Sequence, residues 1–381
     1  MKIAVLYSHP VESDGLSIQG NLMYRGLKEL GVETIACHYN PSFQKQWVYD
    51  AFKPDVALGV GCWTYAPNIV FSPMNNGVIP VPWFVANGWV ANYHKQLSNL
   101  PLVFTTSNWV TDTYKRDGVD TKNFETMPIG FDPKEIFPID KNDHKIQTLR
   151  KMLGIAPDEK MILTIGGDVT SKGAQEMLKA LAMVDEEFPK WRYVMKTWES
   201  ESAEIHRREE DELIETLGID RGKISYLSGA FSHDFMPYLI GAADIYAAPS
   251  RLEGFGMIQM EAEACGRPVV SINVGGPADT VIHGKTGYLA SIGETVKLES
   301  EWAWEHMGFD ADHRIHFEEP KVFAYRASVP DLAKYTLDLL SNDKLREEMG
   351  RNAADHALKN YHYVKVAEKA YNSIKGKLNL S

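Results

Sequence analysis

Pro249-Ser-Arg-Leu-Glu-Gly-Phe-Gly-Met-Ile-Gln-Met-Glu-Ala-Glu-Ala-Cys-Gly-Arg-Pro-Val-Val270 carries the most information per residue in this chain. It reads as the end of a strand, a glycine-containing loop, a helix with Met257, Ile258, Glu261, Ala262 and Cys265 on neighbouring turns, a glycine stop and another strand. A strand, helix and strand in that order form one repeat of a parallel sheet covered by helices. Glu253 falls in the loop and Glu261 well inside the helix. Eight helical residues rise ~12 Å, so the two carboxylates can hold hydroxyls at both ends of one elongated ligand.

That length matches a nucleotide sugar from ribose to hexose. Gly254 and Gly256 let the backbone approach a ligand with no Cβ in the way. The N–H groups that open the helix then favour an anionic diphosphate. A purely structural reading makes the glycines a turn and Glu261 a satisfied polar residue. A carboxylate among Met, Ile, Ala and Cys is costly without a partner, which favours the ligand reading.

Outward from this stretch, apolar runs rich in Val, Ile and Tyr alternate with longer helical patterns. Strands are predicted at Ile3–Tyr7, Thr34–Tyr39, Val56–Val60, Val78–Ala86 and Leu102–Thr106, and again at Met161–Ile165, Tyr193–Lys196, Ile224–Leu227, Ile245–Ala247 and Val269–Ile272. Two series imply an α/β protein of two doubly wound, Rossmann-like halves. Met127-Pro-Ile-Gly-Phe-Asp-Pro-Lys-Glu-Ile-Phe-Pro138, with three prolines and a glycine, is the expected hinge. The expected domains are 1–138, 139–350 and a closing helix over 351–381. Residues 292–327 differ, alternating charges with Trp302, Trp304 and Phe309, and are expected to be an arm inserted in the second domain. Its expected role is packing or a homo-oligomer contact.

At 381 residues, 44% of them hydrophobic, the chain can bury two cores. A formal net charge of -11 argues against a nucleic-acid binder. Ten Lys/Arg against twelve Asp/Glu through Glu135 form no basic amphipathic helix for anionic bilayers. Cys37, Cys62 and Cys265, odd in number and far apart, suit reduced thiols and show no metal spacing. The start lacks a signal-peptide pattern, and no apolar run approaches the ~20 residues of a membrane span. The expectation is a soluble cytoplasmic protein without a transmembrane segment.

Lys172, in Gly166-Gly-Asp-Val-Thr-Ser-Lys-Gly173 at a strand-to-helix turn, is a candidate for diphosphate charge, since a cation at a helix start is unfavourable without an anion. Trp63, Tyr65, Trp83, Asn87 and Trp89 near strand ends are candidates for a sugar-stacking acceptor pocket, against the commoner role of aromatics in the core.

Glu253 to Glu261 resembles the Glu-x7-Glu signature of family 4 retaining glycosyltransferases (glycosyl transferases group 1) of the GT-B fold. The similarity extends through Val274-Gly-Gly-Pro-Ala-Asp-Thr-Val281, His283-Gly-Lys-Thr-Gly-Tyr-Leu289, the hinge segment Pro128-Ile-Gly-Phe-Asp132 with Phe137-Pro138, and Tyr361-His-Tyr-Val-Lys-Val-Ala-Glu-Lys369. The resemblance implies two Rossmann-like domains facing across a cleft, the last helix packing back toward the first. It implies that Glu261 binds the ribose diol and that Glu253 contacts the transferred sugar, helped by backbone N–H groups of Gly254, Phe255 and Gly256. Backbone near Gly229 and Ala230 corresponds to the loop beside the base. Gly15 is the one central glycine of the loop that in relatives faces diphosphate and acceptor.

This chain departs from that pattern in two places. Asp168 stands where relatives carry an arginine, and Lys196, at the end of its strand, is the expected substitute. Relatives place a histidine after the fourth strand, where this chain has Asn87 or a neighbour, with His94 seven residues later.

The implied activity is transfer of a hexose from a nucleoside-diphosphate sugar of UDP-glucose or GDP-mannose type to a carbohydrate, small-molecule or glycolipid hydroxyl, with retention. The catalytic candidates are Glu253, Lys172 and Lys196. No cofactor or metal is implied, and Asp310-Ala-Asp312 in the arm reads as chance. Closure about the hinge would exclude water. The rival readings are a catalytically reduced nucleotide-sugar-binding protein and a sugar-nucleotide epimerase or glycosyl phosphorylase.

Overall fold

A computed structural model describes residues 1–12, 14–85 and 88–380 of the chain. The chain divides into two compact units, one of Met1–Asp132, Lys297–Phe323 and Asn360–Ser381, the other of Pro133–Val296 and Ala324–Lys359.

In the first unit β1 (Lys2–Tyr7), β2 (Glu33–His38), β3 (Val56–Gly61), β4 (Ile79–Phe84), β5 (Val103–Thr105) and β6 (Phe124–Thr126) form a six-stranded sheet in the order β2-β1-β3-β4-β5-β6. All its pairings are parallel. Ile3, Ala4, Val5 and Leu6 are fully buried, as are Val56, Ala57 and Leu58. A parallel sheet is covered on both faces, so its central strands read as unbroken apolar runs. The helix Gly15–Glu29 starts at Asp14, whose side chain accepts from the Leu16 and Ser17 N–H groups. It lies against the last helix, Tyr363–Leu378. Arg25 pairs with the buried Asp132, and the Tyr363 hydroxyl donates to Glu29.

In the second unit β7 (Lys160–Ile165), β8 (Trp191–Thr197), β9 (Ile224–Ser228), β10 (Ile245–Ala247), β11 (Val269–Ile272) and β12 (Gly287–Ala290) form a second parallel sheet in the order β12-β11-β10-β7-β8-β9. At the amino ends of its strands Asp244 meets Lys141 at 2.5 Å, Arg150 at 3.0 Å and the Met161 N–H at 2.8 Å. These partners hold its carboxyl well below the usual carboxylate range. Charge at that edge is closed upon itself and serves the fold.

The ten predicted strands are present, with Ala86 outside the described residues. Two more, β6 and β12, are three and four residues long and too short to show a period. The closing helix is two: Asp343–Asn360 lies in the second unit up to Lys359, and Tyr363–Leu378 belongs to the first. The arm is a hairpin of β13 (Ile292–Ala303) and β14 (His313–Ala327). Its outer part, Lys297–Phe323, packs with the first unit, whereas the sequence reading assigned it to the second.

Candidate donor site

Strand order reverses between β7 and β10, which are hydrogen-bonded neighbours although far apart in sequence. A sheet of this kind opens a crevice where the order reverses, outside the carboxyl ends of the strands. The loop after β7 carries Lys172 and the loop after β10 carries Glu253, so the topology alone brings these residues together. The Arg251 N–H donates to the Ser171 carbonyl at 2.9 Å and ties the loops. Lys172 ends a short 3-10 turn, Thr170–Lys172, closed by Gly173 at φ 83°. A Cβ on Gly173 would run into the Pro249 backbone, so only glycine meets both demands there.

The Lys172 ammonium stands 2.6 Å from Glu253 Oε2, and Glu253 Oε1 accepts from the Gly256 N–H at 3.2 Å. Both side chains stay partly exposed, 27% and 19%, so a ligand can reach them. Gly256 caps the helix Met257–Ala264. Within it Glu261 is buried, and His233 Nε2 lies 3.8 Å from its carboxylate, beyond hydrogen-bond range. His233 Nδ1 lies 3.5 Å from Glu135 of the hinge segment. A buried carboxylate held so loosely from within the protein suits a group that binds hydroxyls.

Lys196 is the penultimate residue of β8 and is only 6% exposed. Its ammonium lies 5.9 Å from the Trp198 ring and 5.7 Å from the Phe231 ring. Among the described residues no ion pair or hydrogen bond reaches this ammonium, and burial lowers its pKa. Gly229, at φ 104°, and Ala230 follow β9 on the next strand of the same sheet.

Asp168 does not occupy an arginine's role. Its Oδ1 accepts from the Thr170 N–H at 3.0 Å, and its Oδ2 lies 2.5 Å from His206 Nδ1. Thr170 in turn donates to the buried Glu210 at 2.6 Å, which also accepts from the Tyr226 hydroxyl at 2.7 Å. Burial raises the Glu210 carboxyl, which underpins the Lys172 turn. His206, Glu210 and His233 escaped the sequence reading because Asp168, Thr170 and Glu261, which they meet, lie 38, 40 and 28 residues away, at spacings set by the fold.

In the first unit Gly15 opens the helix after β1, beside the equivalent reversal between β1 and β3. Two of the acceptor candidates belong to the core: Trp63 and Trp83 are each 1% exposed, and their ring N–H groups are spent on the Trp89 and Met127 carbonyls, both at 2.8 Å. They have no open face for a sugar. Tyr65 and Trp89 remain half-buried near the carboxyl ends of β3 and β4, and His94 opens the helix His94–Ser98. Asn87 lies outside the described residues.

Two Rossmann-like units, with carboxylates and lysines at the sheet reversal of the second, define a protein of the GT-B class. Solved structures agree at the level of fold. A sucrose-phosphate synthase from Thermosynechococcus elongatus superposes over 100% of both chains with a TM-score of 0.73 at 16% identity. HepE from Anabaena, in complex with UDP-glucose, covers 99% of this chain and 100% of its own with a TM-score of 0.72 at 16% identity. Residues 145–299 match the family described as Glycosyl transferases group 1. A D-inositol 3-phosphate glycosyltransferase of Corynebacterium jeikeium is 30% identical over 260 residues, 68% of this chain and 53% of that protein. The chain thus spans about half the length of the curated relatives it matches. Among the described residues no helix is long and apolar enough to cross a membrane.

Proposed function

We propose that the protein transfers a hexosyl group from a nucleoside-diphosphate sugar to an acceptor hydroxyl with retention at the anomeric carbon. The observation that carries this reading is the pairing of Lys172 with Glu253 at the sheet reversal, with Glu261 buried and loosely held on the following helix.

In this reading Glu261 holds the ribose diol and Glu253 a hydroxyl of the transferred sugar, with the Gly254, Phe255 and Gly256 N–H groups beside it. Lys172 and Lys196 meet the diphosphate, whose negative charge grows as the bond from C1 to the leaving oxygen breaks. Lys196 supplies the positive charge that Asp168, engaged with His206, does not. The acceptor oxygen forms its bond to C1 on the face the diphosphate leaves, and its proton passes to a phosphate oxygen. No enzyme nucleophile and no metal is required. Backbone at Gly229 and Ala230 receives the base, Gly15 faces the diphosphate, and Tyr65, Trp89 and His94 contribute to the acceptor side.

The support from relatives is of two kinds. The HepE structure holds UDP-glucose in the same fold, and the curated relatives are named for glycosyl transfer to an inositol phosphate. The test is incubation with UDP-, GDP- and ADP-sugars and an acceptor panel of D-inositol 3-phosphate, free sugars and glycosides, reading released nucleotide and product configuration. Nucleotide release from one donor class with an α-linked product from an α-linked donor is expected. Release from none, or an inverted product, overturns the reading.

A further inference from the structure

The arm was the one motif of the sequence that the donor site did not absorb. Its outer part belongs to the first unit, where it meets the segment Gly88–Tyr93 that follows β4.

That segment has little regular structure of its own, and its polar groups are held from outside. Arg116 donates to the Gly88 carbonyl at 2.6 Å, Trp63 to the Trp89 carbonyl at 2.8 Å, and the Val90 N–H donates to Asp117 Oδ2 at 2.7 Å. The Asp117 side chain is 1% exposed and needs its charge met. Arg116 supplies part of that, and the rest comes from the arm, where Lys321 reaches Asp117 Oδ1 at 2.8 Å. At the arm's tip the Asn92 side-chain amide donates to the Gly308 carbonyl at 2.9 Å and the Met307 carbonyl at 3.3 Å. Gly308 sits at φ 84°, where a Cβ would collide with the Tyr93 hydroxyl. Phe317 meets the Trp89 ring edge-on at 5.4 Å, and Met307 and Phe309 pack on the first unit's core. The arm therefore grips the segment at Trp89, Asn92 and Tyr93 directly and at Val90 through Asp117.

We propose that the arm is the positioning element of the acceptor wall: Lys321, through Asp117, and the Met307–Gly308 turn fix Gly88–Tyr93 in the shape that receives the acceptor. This rests on the glycosyl-transfer reading, in which Trp89 and His94 stand on the acceptor side. Lys321 is a positioning residue: among the described residues its ion pair is with Asp117. Without Lys321 the buried Asp117 carboxylate keeps only part of its compensation, from Arg116, so the loss is felt at Val90. Donor contacts come from other loops and are unaffected.

The experiment compares the full chain with Lys321→Met and Lys321→Arg. Hydrogen exchange of peptides covering 88–93 and of peptides covering 253–261 is measured, together with acceptor KM, donor KM and acceptor-free hydrolysis of UDP-glucose, or of whichever donor the parent chain uses. Lys321→Met is expected to speed exchange at 88–93 about tenfold and to raise acceptor KM by a similar factor. Exchange at 253–261, donor KM and hydrolysis stay within about twofold, and Lys321→Arg restores the parent values. Unchanged exchange at 88–93, unchanged acceptor KM, or a parallel loss of donor hydrolysis overturns the inference. Should the parent release nucleotide from no donor, the glycosyl-transfer reading fails on its own. The exchange at 88–93 then still decides whether the arm holds the segment.

Discussion

Glu261 and Glu263 sit two residues apart on one helix, both buried, with opposite fates. In the proposed reading Glu261 is the ligand-side carboxylate. Burial pushes the Glu263 carboxyl up to about 8, so it is neutral in the folded protein below that pH. An unfolded glutamate loses its proton near pH 4.5. Between these values the folded state binds the extra proton, and stability falls as pH rises. Glu263→Gln abolishes that slope, so its melting temperature relative to the parent should climb from pH 5 to pH 8; a constant difference would contradict the burial argument. For Lys196→Ala we expect turnover to drop by roughly 10²–10³, the scale of one lost electrostatic contact to a departing anion. Its circular-dichroism melt should remain close to the parent's, and near-normal turnover would remove Lys196 from the site.

At the scale of elements, the loop that presents Lys172 is shaped by Gly173 more than by any side chain. Gly173→Ala must adopt a left-handed backbone and push against Pro249. We expect more than about 1 kcal/mol of lost stability in denaturant unfolding, with turnover falling further than in a variant of the exposed Gly284, which has open space around it. The donor loop was legible in the sequence because both carboxylates and the glycines lie within one strand, loop and helix. Lys172 was legible too, since a strand-to-helix turn is local. The partners His206, Glu210 and His233 were not, because they approach across the sheet. Trp63 and Trp83 misled, since an aromatic near a strand end looks the same whether its ring faces a ligand or the core. The arm's alternation of charge and aromatics marked it as unusual, yet nothing in its own residues says that Lys321 seeks Asp117, 204 positions away.

For the whole molecule, ligand linkage offers a test that needs no acceptor. A nucleotide diphosphate that binds only the folded form adds about 2.7 kcal/mol at a hundredfold excess over its Kd. Melting in the presence of UDP, GDP and ADP should therefore rank the bases, with the preferred one raising the transition by a few degrees and the bare nucleoside doing less. Glu261→Gln should flatten that ranking; an undiminished response would move the ribose contact elsewhere.

The first unit is assembled from three separate stretches of chain, the last of them Asn360–Ser381, whose helix covers Gly15–Glu29. A ribosome delivers residues in order, so the six strands of the first sheet emerge long before the helix that lies on them. Its earliest stretch waits, with one flank uncovered, until the residues beyond Asn360 have been read. The second unit, complete at Lys359, closes before it. Chains released early should accordingly show a protease-resistant second unit beside a readily cleaved first one.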